Sequence, residues 1–371
     1  MSRNRFLLYE IIAFLSVVGS QSTLDLVDNW AVIVDTSRYF FNYRHSSNAL
    51  AVYDLVRSNG IPDSKIILML ADYPATSPRN PFPARQFFHA DRGRSICGPD
   101  TEVDYLRDGV NVETFLAVLT GHRSAGAKSL KSTRSSRVLV YLTGHGGDGF
   151  MKFGDIEELG SADLADALSV MSRLGRFKEL LLVIDTCQAD SMTSDIINTP
   201  NIISLAAARQ GENSFALNVD RALGVSTIDR FTGSVINFLS RQPLDSSLVD
   251  LFESLHPRQL FSNAVLKEHN FSRGAQAVSL HDFFAGNPPA VRVAHPPLPS
   301  LEDTEHSTSD EHNPQRPPRK VRLSVAKRYR RSKMRLSASS DKDTAALVES
   351  AVVGALVLLV LFGTCAVVVM T

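Results

Sequence analysis

The sequence predicts an α/β domain built on a mostly parallel sheet flanked by helices, and three observations predict it. Apolar runs rich in β-branched residues recur at 30–35, 65–70, 137–142, 180–184 and 202–208. Segments with helical spacing alternate with them, and runs of this kind are the strands that a parallel sheet buries on both faces. Two of the runs also stop abruptly at a reactive side chain, His145 after one and Cys187 after the next. Ligands in such sheets sit beyond the carboxyl ends of the strands, where both residues fall.

Each element has its own signal. Trp30-Ala31-Val32-Ile33-Val34-Asp35 is a buried-type strand ending in a polar group. A helix is expected over 42–58, with Leu50, Val52, Leu55 and Val56 on one side, and Asn59-Gly60-Ile61-Pro62 stops it. The next strand, 65–70, leads into a long loop over 73–99 that carries Pro74, Pro78, Pro81 and Pro83. A loop of this length in a compact domain is functional or docked against something. Helical spacing returns at 110–119, ending at Gly121, and again at 162–174 and 234–239. No internal repeat is present.

The 371 residues, 44% of them hydrophobic, allow one large domain with appendages. Lys+Arg and Asp+Glu number 39 each, so net charge supplies no case for a nucleic-acid partner. Charge is uneven along the chain, because 316–335 is strongly basic. Three cysteines cannot form a self-contained disulfide framework: Cys97 lies in a polar loop, Cys187 at a strand end and Cys365 in an apolar tail. Cys97 is either a buried bystander or, in a secretory protein, a free thiol or half of an intermolecular bridge.

The ends carry targeting signals. Arg3 and Arg5, the apolar stretch 6–18 and Gly19-Ser20 fit a secretory signal peptide over 1–20, although Glu10 interrupts it. The alternative is a buried amphipathic helix of the mature domain. The globular domain is expected over 28–290, followed by a Pro-rich and then basic linker over 291–344. Residues 351–370 carry no charge and are long enough to span a bilayer as a transmembrane helix. Small residues at Ser337-Ala338-Ser339-Ser340, a polar spacer and that apolar end also fit a removable attachment signal, so both readings stand.

His145 and Cys187 together suit nucleophilic catalysis by a thiolate with an imidazole base. His145 lies between Gly144 and Gly146, which lets the chain turn and leaves the ring accessible. The N–H groups of Gly146 and Cys187 are candidates for stabilising an oxyanion. Taken singly, a strand-end histidine is most often structural and a strand-end cysteine is core. Their joint appearance at successive strand ends favours the catalytic reading.

Gly144-His145-Gly146 and Asp185-Thr186-Cys187-Gln188 resemble the motifs of caspase-like cysteine peptidases, within them the legumain-like branch. Asn42-Tyr43-Arg44-His45 fits the same branch. Further stretches are similar to the catalytic subunits of GPI-anchor transamidases: Asn29-Trp30-Ala31-Val32, Met69-Leu70-Ala71-Asp72, Pro78-Arg79-Asn80-Pro81, Glu102-Val103-Asp104-Tyr105 and Pro200-Asn201-Ile202. The resemblance covers about 28–285 and rests on several motifs occurring in order. Legumains typically have Glu-Ala-Cys where this chain has Asp185-Thr186-Cys187.

The resemblance implies a caspase-like domain in the lumen of the endoplasmic reticulum, held by a single membrane span and working with other subunits of a membrane complex. Cys187 would cleave a C-terminal signal from precursor proteins and form a thioester, which the ethanolamine-phosphate amine of a GPI lipid resolves. Asn42 would orient His145; its bland reading is a helix N-cap. Arg44 and His45 are expected to shape the domain or cleft. The thiol chemistry requires no cofactor, whereas Asp63, Glu102 and Asp104 are the candidate ligands for a structural divalent cation such as Ca2+, against a default of surface acids.

Three departures stand out. Thr76 replaces a loop cysteine that bridges to a partner subunit in many transamidases, Asp190 follows Ala189 where small residues are common, and Asn270-Phe271-Ser272 is a glycosylation sequon. A legumain-like asparaginyl endopeptidase, which hydrolyses, is the alternative function. A non-catalytic scaffold is disfavoured because Asn42, His145, Gly146 and Cys187 are all present.

Overall fold

A computed structural model describes residues 28–88, 93–122, 127–154, 156–217 and 219–286. The expected signal peptide, linker and transmembrane helix lie outside those residues. Among the described residues, no helix is long and apolar enough to cross a membrane.

The five apolar runs form β1 (Asn29–Asp35), β2 (Ile66–Leu70), β4 (Arg137–Thr143), β8 (Glu179–Asp185) and β9 (Ile202–Ala206). Between β2 and β4 comes the two-residue strand β3 (Tyr105–Leu106). A further strand not expected from the sequence, β12 (Val265–His269), completes a seven-stranded sheet in the order β12-β9-β8-β4-β1-β2-β3. All neighbours pair in parallel except β12, which runs antiparallel to β9 at the edge; β10 (Val219–Asp220) and β11 (Val225–Ser226) form a separate antiparallel pair. The order reverses direction beside β1, with β2 on one side and β4 on the other. That reversal opens a crevice at the carboxyl ends of the central strands.

Apolar side chains alternate between the two faces. Ala31 and Ile33 of β1 join the core under α1 (Tyr43–Ser58), α4 (Arg230–Arg241) and α5 (Leu248–Ser254). Trp30, Val32 and Val34 pack instead against α2 (Val112–Thr120) and α3 (Ser161–Arg173). Burial on both sides explains why these strands read as continuous apolar runs. α2 starts where the Asn111 side chain accepts the Thr114 N–H, and it ends at Gly121 in the left-handed region (φ 73°).

Two stretches depart from the expected layout. Strand β9 ends at Ala206, short of the 202–208 run. The segment after His145 is a small antiparallel sheet of β5 (Gly146–Gly147), β6 (Phe150–Phe153) and β7 (Glu157–Gly160). The proline-rich loop is docked: Gln86 Nε2 donates to Ser46 Oγ at 2.6 Å and Ser47 Oγ at 3.0 Å, and the Phe87 N–H donates to Tyr43 Oη at 2.7 Å. Cys97 is buried beside it, and Thr76 is exposed with its hydroxyl donating to the Tyr73 carbonyl at 2.9 Å.

Candidate active site

Asp35, Thr143 and Asp185 stand in register at the ends of β1, β4 and β8, and all three are buried. His145 and Cys187 each follow two residues beyond that row, so adjacent parallel strands deliver them to the same edge. The Gly144 N–H donates to the Asp185 carbonyl at 3.3 Å and ties the two exits together. Past Cys187 the chain turns through Gln188 in the left-handed region (φ 54°), and the Gln188 N–H donates to the Glu212 carbonyl at 2.8 Å. Cys187 is partly exposed and His145 exposed.

Asn42 joins them from the turn between β1 and α1. It precedes α1 at the N-cap position, yet its side chain makes no cap hydrogen bond. Its Nδ2 donates to the Arg38 carbonyl at 2.7 Å, which aims Oδ1 at His145 Nε2, 2.9 Å away. Because Oδ1 can only accept, Nε2 carries the proton in this pair. In the neutral ring Nδ1 is then the basic nitrogen, the tautomer a thiol proton requires. The His45 ring meets His145 edge-on, with centroids 4.8 Å apart at 82°. His45 is held well below the usual histidine range by burial, with Arg44 and His145 adding to the effect. It therefore stays neutral, with Nδ1 2.7 Å from Ser37 Oγ.

Gly146 pairs with Met151, and the Lys152 N–H donates to the His145 carbonyl at 2.8 Å. In that antiparallel register the ladder bonds fall at 145–152 and 147–150, so the Gly146 N–H points away from the hairpin. A Cβ at position 146 would sit 2.6 Å from Thr186 Oγ1 and 2.8 Å from the Phe150 carbonyl oxygen. Only glycine fits this close approach beside the residue that precedes Cys187.

A buried polar network lies under the pair. The Cys187 thiol sits 3.8 Å from the Ser214 carbonyl oxygen, and Ser214 Oγ donates to Asp185 Oδ1 at 2.8 Å. Thr232 Oγ1 donates to Asp185 Oδ2 at 2.6 Å. Burial, and then the nearby Asp229 charge, push Asp185 up to about 7. Asp229 is itself raised by burial, against the pull of Arg44, whose Nε donates to Oδ1 at 2.9 Å. Asn48 Nδ2 donates to Asp229 Oδ2 at 2.6 Å and to Thr143 Oγ1 at 3.0 Å. Arg44 and His45 thus belong to the walls and floor of the cleft. Ser37, Asn48, Ser214, Asp229 and Thr232 carry no sequence signal that marks them out. Asp190 turns away to pair with Lys267 on β12.

Two of the three nominated acids, Glu102 and Asp104, share an ammonium group, and Asp63 meets it only through its backbone carbonyl. Lys128 Nζ lies 2.9 Å from Asp104 Oδ1 and 3.9 Å from Glu102 Oε1, and it donates to the Asp63 carbonyl at 2.8 Å. The Asp63 carboxylate is taken up by Arg57 Nε at 2.9 Å and Tyr53 Oη at 2.6 Å. Among the described residues, no group of three or more His, Cys, Asp or Glu is arranged to hold a metal ion.

With this geometry in place, comparison with known proteins adds kinship. Residues 29–272 match the model of the peptidase C13 family. The GPI-anchor transamidase of Schizosaccharomyces pombe is 39% identical over 287 residues, covering 76% of this chain and 74% of its own. The human GPI-anchor transamidase is 42% identical over 283 residues, covering 75% and 71% respectively. The GPI-anchor transamidase of Pongo abelii is likewise 42% identical over 283 residues, covering 75% and 71%. Among solved structures, caspase-1 of Spodoptera frugiperda aligns over 66% of this chain and 89% of its own at a TM-score of 0.41 and 11% identity.

Proposed function

Because the chain belongs to the peptidase C13 family, we propose that it is the catalytic subunit of a GPI-anchor transamidase, an enzyme of cysteine-dependent acyl transfer. The kinship with transamidases over about three quarters of the chain supports the substrate class. The observation that carries the chemistry is the bond from His145 Nε2–H to Asn42 Oδ1 at 2.9 Å, at the strand end beside Cys187.

In this reading His145 Nδ1 takes the Cys187 proton as the thiolate attacks the carbonyl carbon of the precursor's attachment residue. The N–H groups of Gly146 and Cys187 stabilise the oxyanion. The C–N bond breaks, and His145 returns its proton to the leaving peptide amine. A thioester remains on Cys187. The ethanolamine-phosphate amine of a GPI lipid then attacks the same carbon and loses a proton to Nδ1. The C–S bond breaks, the thiolate recovers the proton, and the new amide joins protein to lipid.

The precursor and the GPI lipid are membrane-held, and the reading places the domain in the endoplasmic reticulum lumen, anchored by 351–370 and assembled with other membrane subunits. Every proton in this scheme moves on the chain's own residues. A structural divalent cation such as Ca2+ at Asp63, Glu102 and Asp104 would have to take the place of the Lys128 ammonium.

Complementation tests the proposal. In cells lacking the transamidase catalytic subunit, but retaining its partner subunits, the wild-type chain should restore surface display of a GPI-anchored reporter, while Cys187→Ala and His145→Ala should leave uncleaved precursor. Anchoring by Cys187→Ala would end the nucleophile assignment. Released, lipid-free reporter from the wild-type chain would favour the hydrolytic endopeptidase instead.

A further inference from the structure

The loop that positions Asn42 also displays two aromatic rings and a guanidinium that the cleavage chemistry does not use. Tyr39 and Phe41 are 54% and 58% exposed, and their rings stack with centroids 5.8 Å apart at 19°. Phe40 between them points inward, packing with Tyr43 and Leu223. Tyr39 holds φ 74° and ψ 149°, a region nearly confined to glycine, so its outward ring is kept at a backbone cost. The Asn42 N–H donates to the Tyr39 carbonyl at 3.0 Å, which locks the strained residue to the site.

Arg38 extends the same surface. Its guanidinium pairs with Asp108 at 3.0 Å, with the two side chains 40% and 88% exposed. An ion pair so open to water contributes little and exchanges partners readily. The stem of Arg38 runs beside Gly154, where an added Cβ would lie 3.4 Å from its Cδ. Gly154 directly follows strand β6, whose Lys152 N–H bonds the His145 carbonyl. Loop and hairpin therefore both flank His145, whereas the Ser214 segment flanks the thiol.

Sidedness follows from proton transfer. The leaving amine must lie where His145 can protonate it, and the incoming amine must lie where the same nitrogen can deprotonate it. Both occupy the His145 side of the thioester. We propose that Arg38, Tyr39 and Phe41 form the acceptor subsite, taking the zwitterionic phosphoethanolamine of the incoming glycolipid. This rests on the transamidase reading above. Arg38 exchanges Asp108 for the phosphate, a charge-assisted pairing that suits a guanidinium. The stacked rings offer their faces to the ammonium and to the adjoining sugar. The subsite thereby raises the concentration of amine over water at the thioester.

The test measures how the acyl-enzyme divides among acceptors. Membranes carrying the full complex are given a reporter precursor with the native GPI present and hydrazine added as an amine that lacks phosphate and glycan. Mass spectrometry then resolves GPI-linked product, hydrazide and free acid. Arg38→Ala, Phe41→Ala and Tyr39→Gly are compared; the last removes the ring at a backbone conformation glycine adopts freely. The GPI-linked share should fall about tenfold relative to hydrazide plus free acid in all three, with total precursor cleavage retained in Arg38→Ala and Phe41→Ala, which alter side chains only and leave the carbonyls of residues 38 and 39 on Asn42. Arg38→Lys should recover part of that share. An unchanged product ratio would overturn the proposal. So would a fall in cleavage at constant ratio, which would assign the loop to the leaving peptide or to the fold. GPI-linked product from Cys187→Ala, run alongside, would instead remove the reading on which the subsite rests.

Discussion

Asn42→Ala is the sharpest perturbation of the site, because it removes the partner of the imidazole, together with the bond to the Arg38 carbonyl that aims it, and little packing. The lost contact is the 2.9 Å bond between Asn42 Oδ1 and His145 Nε2. During acylation His145 becomes an imidazolium, and a hydrogen bond to a charged group contributes about 1.5–3 kcal/mol. The transition state loses that amount, which slows acylation about 10- to 150-fold. The ring keeps its edge contact with His45, so the loss should stay smaller than that of His145→Ala. Two readouts check this: the initial rate of precursor cleavage in membranes, and the rate at which iodoacetamide alkylates Cys187. Buried Cys97 serves as the slow internal reference for the second. Since Asn42 acts through the imidazole, adding Asn42→Ala to His145→Ala should slow alkylation no further. Additive losses in that double variant would refute the argument, and so would a wild-type cleavage rate in Asn42→Ala.

Three other outcomes are expected. Gly146→Ala places a Cβ 2.8 Å from the Phe150 carbonyl oxygen; moving the Gly146 N–H off the oxyanion should cost about 100- to 1000-fold in cleavage rate while Cys187 alkylation persists, and a near-normal cleavage rate would remove Gly146 from the oxyanion role. Asp185 is raised to about 7 from 3.8, so the stability it contributes is fully present below the unfolded value and is lost as pH rises through the folded one. Urea midpoints of wild type should therefore fall relative to Asp185→Asn between about pH 5 and pH 8, and parallel profiles would contradict the assignment. Lys128→Ala leaves Glu102 and Asp104 without their shared ammonium; Ca2+ should raise its thermal midpoint more than that of wild type, and equal responses would show that this cluster does not bind the ion.

The strand ends were legible because each β-branched run broke at a chemically distinct residue, and the glycines around His145 marked a tight turn. The central strands matched for the same reason: burial on both faces leaves a continuous apolar signature. Edge strand β12 left no such trace, since Lys267 and Glu268 interrupt it and its pairing is one-sided. The hairpin after His145 was equally silent, its strands being two to four residues long. Helix α1 was found by its apolar positions, but His45, Ser46, Ser47 and Asn48 are buried as well. Polar residues inside a helix look like a solvated face in sequence. Here His45 and Asn48 line the cleft while Ser46 and Ser47 hold the docked loop, and only their partners, such as Asp229 from 181 residues away, reveal it.

Those partners explain why polar residues end the three central strands. Each member of the buried row reaches a different part of the site through one or two intermediaries. Asp35 accepts the Ser37 N–H at 2.9 Å, and the Ser37 hydroxyl holds His45 against His145. Thr143 meets Asn48, which binds Asp229 and so fixes Arg44. Asp185 accepts from the Ser214 hydroxyl, whose residue presents its carbonyl to Cys187. Burying such groups is costly, and burial accordingly drives both Asp35 and Asp185 toward their neutral forms. Placed in mid-strand they would only weaken the sheet. Placed at the carboxyl edge, the same polar groups convert the register of three parallel strands into the relative positions of the imidazole, the cleft cation and the thiol.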